Sequence, residues 1–233
     1  MKLETLAELN AERAARRPAI VITDTANGEQ RLVKAKDFAA DPLRNELSAQ
    51  LRMGKSGMVE VGAKKLFLNV YAPTARLVII GAVHISQALA PMAQSLGYDV
   101  TVVDPRTAFA SPERFPDVPL IAEWPDVALP PLDVDHYTAF VALTHDPKID
   151  DPALLHAFQR DCFYIGALGS RKTHAKRGDR LRGQGARDSD IARIHAPIGL
   201  AIGAVSPSEI AVSIMAEITA QLRLPPKAKE EAA

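Results

Sequence analysis

A buried strand that runs directly into a glycine loop constrains the fold of this chain more than any other feature. Residues 77–80, Leu-Val-Ile-Ile, form the continuous apolar run expected of a central strand covered on both faces. Gly81 follows at once, and residues 85–96 then carry apolar side chains at helical spacing. A second apolar strand, residues 99–103, ends at Asp104. This order of strand, loop, helix and strand predicts a parallel sheet of the Rossmann type.

The glycine loop departs from the G-x-G-x-x-G pattern of dinucleotide-binding folds. Gly81 keeps the first glycine, whereas Val83 stands where the diphosphate would approach the backbone and Ser86 replaces the third glycine. Asp104 lies 23 positions after Gly81 (104 minus 81), near the roughly 20 expected of the acid that binds a ribose. Two interpretations stay open: a dinucleotide site with a degenerate loop, or a Rossmann scaffold in which Asp104 caps a loop.

The residues that precede this unit predict a small α/β module. Residues 3–16 have helical spacing, and two hairpins are expected at Asn27-Gly28 and around Gly62, as two short β ribbons. Between the hairpins, Asp41-Pro42 predicts the start of a helix that ends at Gly54. The predicted organisation is a small α/β module at residues 1–72, a Rossmann-like domain at residues 73–225 and a frayed tail at residues 226–233.

The second half of the chain continues the alternation of strands and helices. Strands are predicted at residues 139–143 and 163–165, and helices at residues 151–160, 171–182 and 207–223. Residues 107–133 contain six prolines, so an irregular crossover is expected there. Ser206 and Glu209 have the spacing of a capping box at the start of the last helix.

The start of the basic helix after residues 163–165 is a candidate anion site. Its residues are Gly166, Gly169, Ser170, Arg171, Lys172, Thr173 and His174. Free backbone N–H groups, the positive end of the helix and two cationic side chains would converge there, which suits a phosphate. The alternative is a solvated basic face, since the positive charge continues along the helix.

Further candidates lie where other strands of the sheet end, the edge at which ligands bind in open parallel sheets. Thr144, His145 and Asp146 follow residues 139–143. His145 could contact a cofactor with Asp146 orienting its imidazole, or Asp146 could cap a turn. His84, in the first turn of the glycine-loop helix, could donate a hydrogen bond to a ligand or cap the helix. Arg106 would meet a phosphate or pair with the acid two positions before it.

The composition argues against several other classes of protein. Lys and Arg together number 28, as do Asp and Glu, so no net field attracts nucleic acid or an anionic membrane. The single cysteine, Cys162, excludes an internal disulfide or a cysteine-built metal centre and is expected to be a small buried hydrophobe. No metal site is predicted. Without a signal-peptide pattern or a membrane-length apolar run, the chain is expected to be cytoplasmic.

Four segments resemble the C-terminal Rossmann domain of the XdhC/CoxI family, the accessory proteins of xanthine and carbon monoxide dehydrogenases. They are residues 76–107, which begin RLVIIGAVHIS, residues 143–154, LTHDPKIDDPAL, residues 163–178, FYIGALGSRKTHAKRG, and residues 194–218, which begin IHAPIGLAIG. The resemblance covers about residues 76–223. Longer members carry a Ser-Gly-Gly-Cys type motif, whereas residues 56–60 of this chain lack its thiol.

The resemblance implies an accessory protein with no turnover of its own. Such a chaperone binds the molybdenum cofactor (molybdopterin), favours its sulfurated form and delivers it to a molybdenum hydroxylase such as xanthine or carbon monoxide dehydrogenase. A cysteine desulfurase or a second accessory protein is a further expected partner, and a homodimer is expected by analogy. The alternative is an NAD(P)-dependent oxidoreductase with a degenerate dinucleotide loop.

Overall fold

A computed structural model describes residues 1–225, and the frayed tail predicted at residues 226–233 lies outside the described residues. The helices are α1 (Leu3–Ala14), α2 (Arg44–Met53), α3 (His84–Ser95), α4 (Pro125–Ala128), α5 (Pro147–Phe158), α6 (Arg171–Gly183), α7 (Asp188–Ile191) and α8 (Pro207–Arg223). The strands are β1 (Ala19–Asp24), β2 (Gln30–Lys34), β3 (Gly57–Val61), β4 (Lys64–Tyr71), β5 (Arg76–Ile80), β6 (Asp99–Val103), β7 (Leu120–Ile121), β8 (Thr138–Ala142), β9 (Tyr164–Ala167) and β10 (Ile194–His195). The chain forms two compact units: the first contains Met1–Pro73 and the described residues from Arg223 on, and the second contains Thr74–Leu222.

The first unit is built on one four-stranded antiparallel sheet in the order β2-β1-β4-β3. Both predicted hairpins are present, as β1 with β2 and β3 with β4, and they join into one sheet because β1 also pairs with β4. The turn between β1 and β2 is also longer than two residues, since the N–H of Gly28 donates to the carbonyl of Asp24. The helix after Asp41 begins at Arg44, because the Asp41 carboxylate accepts the N–H of Leu43 in a preceding turn.

The second unit contains a six-stranded sheet in the order β10-β9-β8-β5-β6-β7, and every neighbouring pair is parallel. The chain starts in the middle at β5, moves outward to β7, and returns to β8 on the other side of β5. This is the order 3-2-1-4-5-6 of two mononucleotide-binding halves, which confirms the Rossmann-type prediction. Ligands of such sheets bind at the carboxyl edge where the direction reverses, here between β5 and β8.

Alternate side chains of β5 pack into two different hydrophobic core clusters, one on each face of the sheet. Leu77 and Ile79 are fully buried on the face covered by α3 and α8. Val78 and Ile80 are buried on the opposite face, with side chains of α5 and α6. Because successive side chains of a strand point to opposite faces, a strand covered on both sides needs an unbroken apolar run.

Several elements differ from the prediction. The helix predicted from residue 151 begins at Pro147, because the Asp146 carboxylate caps it by accepting the N–H of Lys148 (2.9 Å) and proline fits the first helical position. Four short elements, β7, α4, α7 and β10, have two to four residues and were not predicted, since such lengths show no periodicity. The capping box before α8 is confirmed, as the N–H of Ser206 donates to the Glu209 carboxylate (2.7 Å) and the N–H of Glu209 to the Ser206 hydroxyl (3.3 Å).

None of the helices within residues 1–225 combines the length and apolar character needed to cross a bilayer.

Candidate functional site

The loops after β5 and β8 meet at the point where the sheet reverses direction. Gly81 has a φ of +112°, a conformation that side chains rarely adopt, and a Cβ built there would lie 2.7 Å from Cγ2 of Thr144. Ser86, at the third glycine position, is fully buried, and its hydroxyl donates to the carbonyl of Gly81 (2.5 Å). Gly81 and Ser86 therefore allow the strand, the helix and the neighbouring loop to pack closely.

The carboxylate of Asp104 is completely buried and accepts four hydrogen bonds. The donors are the N–H of Ala82 (2.7 Å), the N–H of Arg106 (3.0 Å), and Nε (2.9 Å) and Nη2 (2.7 Å) of Arg106. Burial raises the pKa of Asp104, but the hydrogen bonds and the charge of Arg106 outweigh it, and the pKa lies below its ordinary value. Arg106 thus pairs with Asp104, which favours the interpretation that this acid caps the loop.

The N-terminus of α6 has the features expected of an anion site. Gly169 has a φ of +130°, and the hydroxyl of Ser170 caps the helix by accepting the N–H of Thr173 (3.2 Å). The first N–H groups of a helix have no intrahelical partner, and the helix dipole favours negative charge at this end. Arg171 and Lys172 are exposed and form no hydrogen bond or ion pair within residues 1–225.

Farther along α6, arginines are engaged by carboxylates of the chain. The pairs are Arg180 with Asp151 (2.7 Å), Arg182 with Asp188 (2.7 Å) and Asp179 (2.9 Å), and Arg177 with Asp150 (4.0 Å). The uninterrupted basic face considered from the sequence is therefore largely neutralised. Arg171 and Lys172 differ from these arginines because no carboxylate within residues 1–225 pairs with them.

The loop after β8 is held by a buried acid of α5. Asp150 accepts the hydroxyl of Thr144 (2.7 Å), the N–H of Thr144 (3.3 Å) and the N–H of His145 (3.1 Å). Burial raises the pKa of Asp150 above its ordinary value, although these hydrogen bonds and Arg177 oppose the change. His145 is exposed, and Asp146 caps α5 rather than orienting the imidazole.

Most of the predicted site residues lie at one edge of the sheet, the edge formed by the carboxyl ends of its strands. The loops that follow β5, β6, β8 and β9 lie there because carboxyl ends of parallel strands share an edge, and Arg106 is close enough to Asp146 for their charges to interact. His84 is the exposed first residue of α3. Gly166 differs, since it lies within β9, where a Cβ would be 2.5 Å from Cδ1 of Ile198. Gly166 therefore allows β9 to pack closely against Ile198 beneath the candidate site.

A polar cluster that sequence reasoning missed joins α8 to β9 and β10. The Glu217 carboxylate accepts the hydroxyl of Tyr164 (2.5 Å) and the N–H of Gly199 (2.8 Å), and it lies 3.1 Å from Nδ1 of His195. Burial raises the pKa of Glu217, but these three partners outweigh it and lower the pKa overall. The cluster was missed because Tyr164 and His195 lie 53 and 22 positions from Glu217.

The single cysteine is buried in the core and does not resemble the exposed residues at this edge of the sheet. Cys162 is 7% exposed and packs in the core on the α5 face of the sheet. Burial raises the pKa of its thiol to about 12. At neutral pH the thiol is therefore protonated and enclosed, which is unsuited to nucleophilic or metal chemistry.

The strand order and the glycine loop at its reversal point define a Rossmann-type domain. Residues 77–218 match the family model of the XdhC Rossmann domain. Because this match covers more than half of the 233 residues, the protein belongs to the XdhC family. The resemblance stated from the sequence is thereby confirmed.

Three curated relatives match most of this chain. It is 35% identical over 174 residues to YqeB of Escherichia coli, a protein described as uncharacterised, which covers 72% of this chain and 32% of YqeB. It is 34% identical over 154 residues to a probable xanthine dehydrogenase subunit of Bacillus subtilis, covering 66% of this chain and 44% of the relative. It is 32% identical over 154 residues to the molybdenum cofactor insertion chaperone PaoD of Escherichia coli, covering 66% and 42%.

These alignments cover less than half the length of each of the three relatives. A crystal structure of a xanthine dehydrogenase from Bacillus halodurans superimposes with a TM-score of 0.67 at 23% identity. That superposition covers 94% of this chain and 67% of the other. At this identity the likeness shows a shared fold.

Proposed function

We propose that this chain binds the molybdenum cofactor at the carboxyl edge of its parallel sheet and serves the maturation of a molybdenum hydroxylase. The observation that carries the proposal is the N-terminus of α6, where Arg171 and Lys172 are exposed. Their backbone N–H groups have no intrahelical partner, since Ser170 engages only those of Thr173 and His174. The names of two relatives support it, since one is a molybdenum cofactor insertion chaperone and the other a probable xanthine dehydrogenase subunit.

The donors at this helix start fit the anionic end of the cofactor. The pterin carries a terminal phosphate, or a diphosphate in its dinucleotide forms. Backbone N–H groups and two cationic side chains supply charge-assisted hydrogen bonds, and Gly169 lets the backbone approach closely. The adjoining loop of Thr144 and His145 would contact the rest of the ligand, since ligands of this fold lie across the reversal point.

We further propose which form of the cofactor is bound and where it goes: the chain favours the sulfurated cofactor and delivers it to an apo-enzyme such as xanthine or carbon monoxide dehydrogenase. Sulfur would come from a cysteine desulfurase or a second accessory protein. The reason is that the chain's single thiol, Cys162, is buried with a pKa of about 12 and is not available to carry a persulfide. A cytoplasmic location and a homodimer stay predictions from the sequence.

The alternative, an NAD(P)-dependent oxidoreductase, finds less support. The carboxylate of Asp104 is buried, and its hydrogen bonds come from Ala82 and Arg106. A ribose would have to displace Arg106 to reach it. Val83 in addition packs against the core at the second glycine position.

Co-purification tests the proposal. The full chain is expressed in a host that makes molybdopterin, and the pterin retained after purification is oxidised and measured by fluorescence. Wild type is expected to retain pterin, and the double variant Arg171→Ala/Lys172→Ala at least tenfold less, since each charge-assisted bond contributes roughly 1.5–3 kcal/mol.

Lys176→Ala is the control for the loss of an exposed positive charge on the same helix, and Lys172→Ala is the single variant to compare with it. The Lys176 side chain is exposed, has no partner within residues 1–225, and lies one turn farther from the free N–H groups. Arg180 and Arg182 would be poor controls since both pair with carboxylates. Wild type without pterin, or equal losses in the control and the double variant, would overturn the assignment.

A further inference from the structure

A buried ion pair connects the two loops of the proposed site. Asp150 of α5 and Arg177 of α6 each have 2% of the side chain exposed, and Nη2 of Arg177 lies 4.0 Å from Oδ2 of Asp150. Asp150 also accepts hydrogen bonds from Thr144 and His145, in the loop after β8. Arg177 donates from Nη2 to the carbonyl of Leu168 (2.8 Å), in the loop after β9. One ionic contact therefore ties both loops together.

The backbone of His145 is strained. Its φ is +66°, in the left-handed region that is uncommon for residues other than glycine. The N–H of His145 donates to Asp150 (3.1 Å), which holds this conformation. Its imidazole is exposed and has no hydrogen bond or ion pair within residues 1–225. Strain of this kind persists only where surrounding contacts impose it, and it clusters at functional sites.

The pair is poorly suited to a purely stabilising role. Nε and Nη1 of Arg177 are buried without a partner within residues 1–225, and burial lowers the pKa of the guanidinium. Removing two charges from water costs about as much as their attraction returns, so a buried pair by itself adds little stability. The arrangement instead fixes where two backbone segments lie.

We propose that Asp150 and Arg177 are positioning residues, which set the spacing of the two ligand loops and hold His145 in its left-handed conformation. The ligand side of this inference rests on the proposed function. The positioning side concerns contacts within the chain and can be tested without ligand.

The neighbouring pair of Asp151 and Arg180 is a matched control. It also joins α5 to α6, and Asp151 is similarly buried, with bonds of 2.7 Å and 2.9 Å from Nε and Nη2 of Arg180. No hydrogen bond links Asp151 to Thr144 or His145 within the described chain. The Arg180 side chain is 37% exposed, so this pair is less enclosed than that of Asp150 and Arg177. Asp151→Asn thus weakens an ionic link between the same two helices without touching the loops.

The first experiment is a ligand-free cycle of thermal unfolding on the full chain. His145→Gly is placed in the wild-type, Asp150→Asn and Asp151→Asn backgrounds. An amide has one acceptor oxygen, so Asp150→Asn would release part of the loop and let residue 145 relax. In each background, the change in Tm caused by His145→Gly is measured. This change is expected to be about 2–4 °C more positive in the wild-type and Asp151→Asn backgrounds than in the Asp150→Asn background, because relief of strain at one residue gives a Tm shift of about that size. Equal effects in all three backgrounds would overturn the positioning role.

The second experiment measures retained pterin in the same variants. Asp150→Asn and Arg177→Met are expected to retain at least tenfold less than wild type, and Asp151→Asn within twofold of it, although both Asn variants lower Tm. Equal losses with Asp150→Asn and Asp151→Asn would mean that only general stability matters, and would overturn the inference. If wild type retains no pterin, the proposed function fails, while the unfolding cycle still decides the positioning role.

Discussion

The backbone at Gly81 has to satisfy two conditions at once: a φ of +112° and contact with the Thr144 side chain, which a Cβ would meet at 2.7 Å. Gly81→Ala is therefore expected to lower the free energy of unfolding by about 2–4 kcal/mol, measured in urea, from strain and displacement together. Gly97→Ala is the control, since Gly97 has a φ of +83° but open space around it, and should cost only about 1 kcal/mol. Equal losses would contradict the close contact with Thr144.

Val83 and Asp104 bear on nucleotide binding in different ways. Replacing Val83 by glycine clears the path of a diphosphate, but the Asp104 carboxylate stays bonded to Arg106. Calorimetric titration of NADH and NADPH is therefore expected to show no low-micromolar affinity in wild type, and no gain above about threefold in Val83→Gly. A tight complex in either protein would support the oxidoreductase alternative and mean that Arg106 can leave the acid.

At the scale of elements, local patterns predicted what depends on local sequence. The apolar run at residues 77–80 predicted a strand covered on both faces, and the start of α6 was placed correctly at Arg171. The pairing of β1 with β4 was not predicted, since nothing within either hairpin specifies it. The buried partners of the site, Asp150 and Arg177, were missed for the same reason: they lie on different helices.

The contact of α8 with β9 and β10 through Glu217 has a pH dependence. The pKa of Glu217 lies below its ordinary value of 4.5 in the folded chain, so the carboxylate stabilises the fold above pH 4.5 and loses this contribution as the pH falls through the folded pKa. Glu217→Gln is expected to lower the free energy of unfolding by about 1–3 kcal/mol at neutral pH, because hydrogen bonds to a charged group are lost.

Urea unfolding from about pH 7 to pH 3 measures this difference between wild type and Glu217→Gln, which should shrink once the pH drops below 4.5. Glu123→Gln is the control, as Glu123 is exposed and forms no hydrogen bond or ion pair within residues 1–225. It should change stability by less than about 0.5 kcal/mol at every pH. A Glu217 effect that stays constant down to pH 3 would refute the stabilising role of the charge.

For the whole molecule, the balance of 28 basic and 28 acidic residues leaves no long-range field to draw in a partner. Transfer of a cofactor would then depend on direct contact with the receiving enzyme, and should vary little with ionic strength.

Loss of the chain should affect the loading of a molybdenum hydroxylase rather than its synthesis. In a strain that lacks the gene, the hydroxylase is expected at normal abundance but with cofactor content reduced several-fold, since cargo would no longer be held and delivered. Molybdenum and pterin per mole of purified enzyme are the measurements. Activity per loaded site is expected to be unchanged, because under the proposed function the chain would not contact the substrate of the hydroxylase. Plasmid-borne wild type and Lys176→Ala should restore loading, whereas Arg171→Ala/Lys172→Ala should not. A fully loaded, fully active hydroxylase in the deletion strain would show that the maturation role is wrong.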